Sequence, residues 1–176
     1  MSNLVRYIFR FALLILAQVF VLNQIPPLHQ YFTPLLYFVF ILWLPFTIGR
    51  SQLLIVSFIT GVAVDFFTKT PGMHAAACVL IGYVRPFIIN LIVPQQGAEF
   101  NYREPSATSL GNVQYIIYVS VLTLLHHGML FTIQAFQFGN ILYLVFKTLG
   151  ASIISFILIL VVEIIFTRKQ KFITNT

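Results

Sequence analysis

Long apolar runs separated by short polar breaks dominate the chain. No Asp, Glu, Lys or Arg occurs between Arg10 and Arg50, and none occurs between Glu104 and Lys147. A helix needs roughly 20 mostly apolar residues to cross a bilayer, so each of these stretches is long enough for two crossings. The runs do not alternate between polar and apolar residues, as the strands of a membrane β-barrel would. The pattern therefore predicts an all-α integral membrane protein.

Turn signals divide the chain into six predicted transmembrane helices within a single domain. A proline pair at positions 26 and 27 ends the first helix, and the Thr-Pro-Gly turn at positions 70 to 72 separates the third from the fourth. A polar loop over residues 94–111 separates the fourth from the fifth. The predicted helices cover residues 8–23, 34–49, 52–67, 73–93, 112–135 and 141–166. Because the second and third are short, four crossings plus a re-entrant hairpin is the alternative.

Composition and charge agree with a lipid environment. Hydrophobic residues make up 59% of the chain and charged residues 8%, whereas soluble domains average about 25% charged residues. We compared the basic residues at the helix ends and in the loops, with the N-terminus placed inside. The outer side then has only Lys69, and the inner side has Arg6, Arg10, Arg50, Arg103, Arg168, Lys169 and Lys171. This bias predicts that both termini face the cytoplasm. It also favours lipid headgroups over nucleic acid as the partner of the basic residues.

An unpaired charge within a transmembrane helix is costly, and we therefore ask which partners Asp65, Arg85, Lys147 and Glu163 have. Asp65 ends the third helix and Lys147 begins the sixth at a comparable depth, so we predict an Asp65–Lys147 contact. The alternative is a carboxylate at the level of the headgroups. Arg85, inside the fourth helix, and Glu163, near the inner end of the sixth, predict an Arg85–Glu163 ion pair. The alternative is that the long Arg85 side chain extends inward to the headgroups.

Histidines and small residues indicate how the helices pack. The two histidines at positions 126 and 127 point about 100° apart on a helix, so they do not chelate one ion, and we expect interhelical hydrogen bonds. His74, at the outer turn, is expected to cap or contact Asp65. Small residues let helices approach closely and predict a tight hairpin of the third and fourth helices; they are Gly61, Ala63, Gly72, Ala75, Ala76, Ala77, Cys78 and Gly82.

The sequence offers little on which catalysis could be built. It has no Gly-rich phosphate loop, no Cys or His pair at metal-ligand spacing, and no nucleophile beside a plausible base. We therefore expect no enzymatic activity, no cofactor and no metal ion.

One stretch resembles a known family. Gly61-Val-Ala-Val-Asp65-Phe-Phe, followed by Thr70-Pro71-Gly72-Met73-His74 and three alanines, resembles the signature of the bacterial rod shape-determining MreD family. The Arg-Pro pair at positions 85 and 86 and the Glu-Pro-Ser triplet at positions 104 to 106 add to the resemblance. It covers essentially the whole chain in length and helix pattern, although each motif is short and hydrophobic.

The resemblance implies a non-enzymatic component of the cell-elongation machinery in the bacterial inner membrane. The implied partners are an MreC-like bitopic membrane protein, MreB filaments and peptidoglycan synthases. The implied fold is similar to the six-helix membrane S-subunits of energy-coupling-factor transporters. The structural or partner-contact candidates are Gly61, Asp65, Pro71, Gly72, His74 and Arg85, with Lys147 and Glu163 added on depth alone. Two alternatives remain open: a vitamin-binding transporter subunit, and an enzyme that acts on lipid-linked substrates.

Overall fold

The computed structural model describes residues 3–25, 33–92, 103–135 and 141–166. Over these residues the chain forms α-helices and one 3₁₀ turn. Five of the helices are long and apolar enough to cross a membrane, which supports a multi-pass membrane protein. The elements are α1 (Asn3–Phe20), a 3₁₀ turn (Leu22–Gln24), α2 (Val39–Leu42), α3 (Arg50–Thr68), α4 (Met73–Ile92), α5 (Ala107–Leu110), α6 (Asn112–Ala135) and α7 (Ile141–Ile165).

The long helices form a bundle in which α4 packs between α3 and α6, and α7 packs on the other side of α6. Large apolar side chains on the outward faces of α1, α3 and α7 are exposed, such as Phe9, Ile59 and Ile164. In water such faces would aggregate, whereas a bilayer solvates them directly. The exposed surface therefore agrees with the apolar composition.

Side-chain contacts define the two ends of the bundle. At the near end, where α1 begins, the Arg10 guanidinium pairs with Glu104 at 2.7 Å, and Glu163 accepts a hydrogen bond from the Ala107 amide. At the far end, Gln18 donates a hydrogen bond to the Pro34 carbonyl, and the turn between α3 and α4 lines the same cavity as Lys147 of α7.

Residues 33–49 correct the prediction of a second transmembrane helix. This crossing segment begins at the far end and reaches the near end at Phe46, whose amide donates to the Arg103 carbonyl at 3.1 Å. Only the four residues of α2 within it are α-helical. All ten residues from Leu35 to Leu44 are buried. The chain thus passes through the bundle here as a buried and mostly non-helical segment, and not as the re-entrant hairpin of the alternative.

Local sequence explains why the crossing segment does not form a regular helix. Prolines stand at positions 34 and 45, and proline disfavours helical geometry at the residue before it, here Leu44. The ten residues between them are aromatic, β-branched or leucine. Aromatic and β-branched residues have a lower helix propensity than Ala or Leu. A helix limited by two prolines is too short to cross a bilayer. An apolar run alone did not reveal this restriction.

Candidate functional site

Polar side chains from neighbouring helices satisfy the backbone of the crossing segment at the far end. Gln18 of α1 is fully buried. Its Oε1 accepts from the Leu36 amide at 2.7 Å, and its Nε2 donates to the Pro34 carbonyl at 3.2 Å. Ser155 of α7 accepts from the Leu35 amide at 2.9 Å. Because backbone groups at membrane depth cannot bond to lipid, these side chains supply what a helix would supply internally.

Arg85 and Tyr118 do the same toward the near end. The Arg85 side chain is only 2% exposed. Its Nη2 donates to the Leu44 carbonyl, and its Nε donates to the Tyr118 hydroxyl at 2.9 Å. That hydroxyl in turn donates to the Leu42 carbonyl at 2.9 Å. The arginine is therefore a backbone-binding group inside the bundle, and the alternative of an inward-extending side chain is not needed to explain it.

The predicted Arg85–Glu163 ion pair is wrong, because the two side chains bind different groups. Glu163 accepts from the Tyr115 hydroxyl at 2.8 Å and from the Ala107 amide at 3.2 Å. The Trp43 indole also donates to Tyr115, at 3.3 Å. Glu163 therefore connects α7 to α5 and α6 at the near end. The prediction used only the depth of each residue along its helix, which is similar for the two. It could not show that the crossing segment lies near Arg85 and supplies the Leu44 carbonyl as its acceptor.

The central histidines confirm the expected interhelical hydrogen bonds. The Tyr37 hydroxyl lies 2.7 Å from His74 Nδ1 and 2.8 Å from His126 Nε2, and so connects the crossing segment to α4 and α6. His127 Nε2 lies 3.0 Å from Ser155 Oγ. Within the described ranges no three His, Cys, Asp or Glu residues are grouped to hold a metal ion.

Asp65 caps the start of α4. Its carboxylate accepts hydrogen bonds from the amides of Gly72 at 3.1 Å, His74 at 3.0 Å and Ala75 at 3.0 Å, and from the Thr70 hydroxyl at 3.0 Å. The first amides of a helix have no partner within it, and the helix dipole favours a negative charge there. The expected contact between His74 and Asp65 is confirmed, through the backbone of His74.

The predicted Asp65–Lys147 contact is wrong for the same reason. The carboxylate is occupied by the start of α4. Lys147 instead donates to Gln134 Oε1 at 2.8 Å, and its Nζ lies 4.7 Å from the centre of the Phe131 ring. The lysine thus rests on α6 and on an aromatic face, an arrangement in which a cation is stabilised by the ring.

Gly61 allows α3 and α4 to touch backbone to backbone. A Cβ atom added at Gly61 would lie 2.3 Å from the Ala75 Cα and 2.6 Å from the His74 carbonyl oxygen. Those atoms belong to the main chain and cannot move aside as a side chain can. The predicted tight hairpin is therefore confirmed, and Gly61 is a position where the main chains of α3 and α4 are in contact.

The turn between α3 and α4 uses two left-handed residues. Lys69 caps the end of α3 with φ 57°, and Gly72 precedes α4 with φ +84°. Glycine adopts such a conformation without the steric cost that other residues incur. Pro71 lies between them, where its missing amide removes no hydrogen bond of the turn. Gly61, Asp65, Pro71, Gly72 and His74 thus belong to one structural unit, the α3–α4 hairpin.

A cavity of about 490 Å³ opens at the far end of the bundle. It lies among the end of α1, the start of the crossing segment, the α3–α4 turn, the end of α6 and the start of α7. Its lining is mixed: apolar and aromatic side chains alternate with polar ones, which are Asn23, Gln24, Thr33, Thr68, Thr70, His74, Gln134 and Lys147. The cavity brings together His74 and Lys147, two of the predicted candidates, around a common space.

Sequence reasoning missed Gln18, Tyr118 and Glu104. Glu104 accepts from Arg10 at 2.7 Å and from the Tyr7 hydroxyl at 3.0 Å, and so fastens the polar loop to α1. The sequence offered one signal for Gln18, namely a polar residue within an apolar run. The remainder of the predicted loop, residues 94–102, lies outside the described residues.

No family model, no curated protein and no solved structure matches the chain. The fold and the contacts described above therefore carry the functional argument, together with the resemblance of the α3–α4 hairpin sequence.

Proposed function

We propose that this chain is a non-enzymatic scaffold of the bacterial cell-elongation machinery, which binds an MreC-like bitopic protein and helps to couple MreB filaments to peptidoglycan synthesis. It works in the inner membrane with both termini in the cytoplasm, so that the far end faces outward. The proposal rests on the resemblance of residues 61–77 to the MreD signature and on the structural role of those residues.

The observation that carries the proposal is that the signature residues build a rigid hairpin. Asp65 caps α4 with three backbone hydrogen bonds, and Gly61 brings the two helices into main-chain contact. Main-chain contact and a capped helix start hold the two helices in one arrangement, which suits a surface that must hold a partner in one orientation. The side chains that define it face inward, so the partner surface lies on the opposite face of α3.

The outward face of α3 is a stripe of large apolar side chains at helical spacing. Its members are Ile55, Phe58, Ile59, Val62 and Phe66, all of them exposed. A single transmembrane helix of a bitopic partner can pack along such a stripe by van der Waals contact. Binding there would fix the partner relative to the rigid hairpin without any chemical step.

Site-specific crosslinking in native membranes tests this proposal. A photoreactive residue in place of Ile59 should crosslink to an MreC-like bitopic protein identified by mass spectrometry. The same residue in place of Leu149, which is similarly exposed but lies on α7, is the matched control. Depletion of the chain should also turn rod-shaped cells round. Crosslinks of equal yield at both positions, or cells that keep their shape, would contradict the scaffold role.

One observation favours a second candidate, a small-molecule-binding membrane subunit of a vitamin-type transporter. The far-end cavity, about 490 Å³, has the size of common ligand sites and a mixed polar and apolar lining. Vitamin binding to the purified chain, weakened by Lys147→Met, would support this candidate. If none of a panel of vitamins binds, the candidate is excluded for that panel and the scaffold proposal is unaffected.

A further inference from the structure

A second cavity, of about 420 Å³, lies at the near end between the start of α3 and the end of α4. Two arginines line it: Arg50, the first residue of α3, and Arg85, deep in α4. Its other polar lining residues within the described ranges are Thr47 and Asn90, and none of the described lining residues is acidic. Two positive charges therefore line one space, and the described residues around it contribute no carboxylate.

Arg85 has hydrogen-bonding capacity left over at this cavity. Its Nε and Nη2 donate to Tyr118 and to the Leu44 carbonyl, both neutral groups. A guanidinium has five N–H donors, and these two hydrogen bonds use two of them in a side chain that is only 2% exposed. A buried guanidinium with only neutral acceptors favours an anion within reach of its remaining donors.

Arg50 connects this cavity to the lipid-facing surface. The residue is exposed, and its guanidinium lies 5.7 Å from the centre of the Phe87 ring. Arg50 also lines a groove of about 110 Å³ between α3 and α4, whose other lining residues include Leu54, Gly82, Tyr83 and Phe87. The groove is mostly apolar, and two of its lining side chains, Tyr83 and Phe87, are exposed on the outside of the bundle. A basic cavity thus leads directly into an apolar groove on the outside of the bundle.

We propose that the cavity binds the phosphate of an anionic phospholipid between Arg50 and Arg85, with an acyl chain along the groove between α3 and α4. Basic pockets between transmembrane helices are suited to phosphate headgroups, because arginine binds phosphate through charge and paired N–H donors. The combination of charge at one end and an apolar path at the other selects a lipid over a soluble anion. The phosphate would lie close to the crossing segment, because Arg85 also donates a hydrogen bond to the Leu44 carbonyl.

Native mass spectrometry of the full chain, released from an uncharged detergent, tests the proposal. The probe is an equimolar mixture of phosphatidylglycerol and phosphatidylcholine. We expect the wild-type chain to retain phosphatidylglycerol preferentially. Arg50→Gln should lower that retention about fivefold, the change expected for one basic residue at a lipid headgroup. Arg50→Lys should keep most of it.

The matched control is Lys69→Gln, which removes one exposed positive charge at the far end. It should leave phosphatidylglycerol retention unchanged. An equal loss in Arg50→Gln and Lys69→Gln would show that net charge alone is responsible and would overturn the proposal. Equal retention of the two lipids by the wild type would also overturn it. Circular dichroism of each variant confirms that its helices are intact.

A competition arm separates a lipid from a free anion. Inorganic phosphate at millimolar concentration should leave the bound phosphatidylglycerol in place, because it cannot occupy the groove. Complete displacement would mean that the site takes a soluble anion, which contradicts the proposal. No arm depends on a protein partner, so failure here leaves the scaffold proposal standing, and failure of the scaffold proposal leaves this one testable.

Discussion

The α3–α4 hairpin and the crossing segment solve one problem in two ways. Both must satisfy backbone amides and carbonyls at membrane depth, where lipid offers no hydrogen bonds. The hairpin does so within its own helices and adds one carboxylate, Asp65, for the first amides of α4, which have no partner within the helix. The crossing segment borrows side chains from distant parts of the chain, among them Gln18, Arg85 and Ser155.

The difference explains why buried polar residues occur in such an apolar protein. A polar side chain buried in a bundle needs a partner, and here several of the partners are main-chain groups of residues 34–44. These polar residues are structural supports, so their presence alone does not indicate catalysis. The comparison also predicts where substitutions act: in the hairpin through steric contact, and in the crossing segment through lost hydrogen bonds.

The largest effect is expected in the hairpin, from Gly61→Ala. The added methyl group would overlap the Ala75 main chain, and overpacking of this kind costs about 3 kcal/mol of unfolding free energy. Unfolding in mixed micelles with increasing SDS measures the change. Gly128→Ala is the matched control, since a Cβ at Gly128 meets nothing within 4 Å. Equal stability of the two variants would remove the steric account of the hairpin.

Gln18→Leu should have the next largest effect, on the crossing segment. The substitution introduces an apolar side chain of similar size. It leaves the Leu36 amide and the Pro34 carbonyl without Gln18 as partner. An unsatisfied buried polar group costs about 1–3 kcal/mol, and we expect a loss of about 2 kcal/mol in the same SDS titration. A stability equal to that of the wild type would mean that the segment does not depend on this side chain.

Tyr118→Phe should lower the unfolding free energy by about 1 kcal/mol, the usual net value of a buried hydrogen bond. The variant removes the hydroxyl that connects Arg85 to the Leu42 carbonyl. Tyr83→Phe is the matched control because the Tyr83 side chain is 59% exposed. Equal effects from the two substitutions would argue against hydroxyl support of the crossing segment.

The smallest effect is expected from Lys147→Met, at about 0.5 kcal/mol, since this half-buried lysine contacts an amide and a ring face. It also sharpens the correction of the Asp65–Lys147 pair. Combined with Asp65→Asn, the two effects should add, because the side chains have no bond in common. A coupling free energy above about 1 kcal/mol would instead support a direct Asp65–Lys147 contact.

Sequence predicted the hairpin well because its determinants are local. Gly61, Asp65 and Gly72 lie within twelve positions of one another, and their residue types carry their roles. The crossing segment escaped prediction because hydropathy cannot distinguish a buried irregular chain from a helix. Its supports lie far away in sequence, as with Tyr118 and Leu42, which are 76 positions apart. The two ion pairs predicted from depth were wrong because depth does not show which distant residues contact each charge.

Solid-state NMR of the isotope-labelled chain in bilayers tests the central claim most directly, through the backbone carbon chemical shifts of residues 33–49. We predict helical shifts for Val39 to Leu42 and non-helical shifts for Leu35, Leu36 and Leu44, with the Gln18 side-chain amide in contact with Leu36. Uninterrupted helical shifts from residue 34 to residue 49 would contradict the account, because such a helix would need none of the borrowed hydrogen bonds.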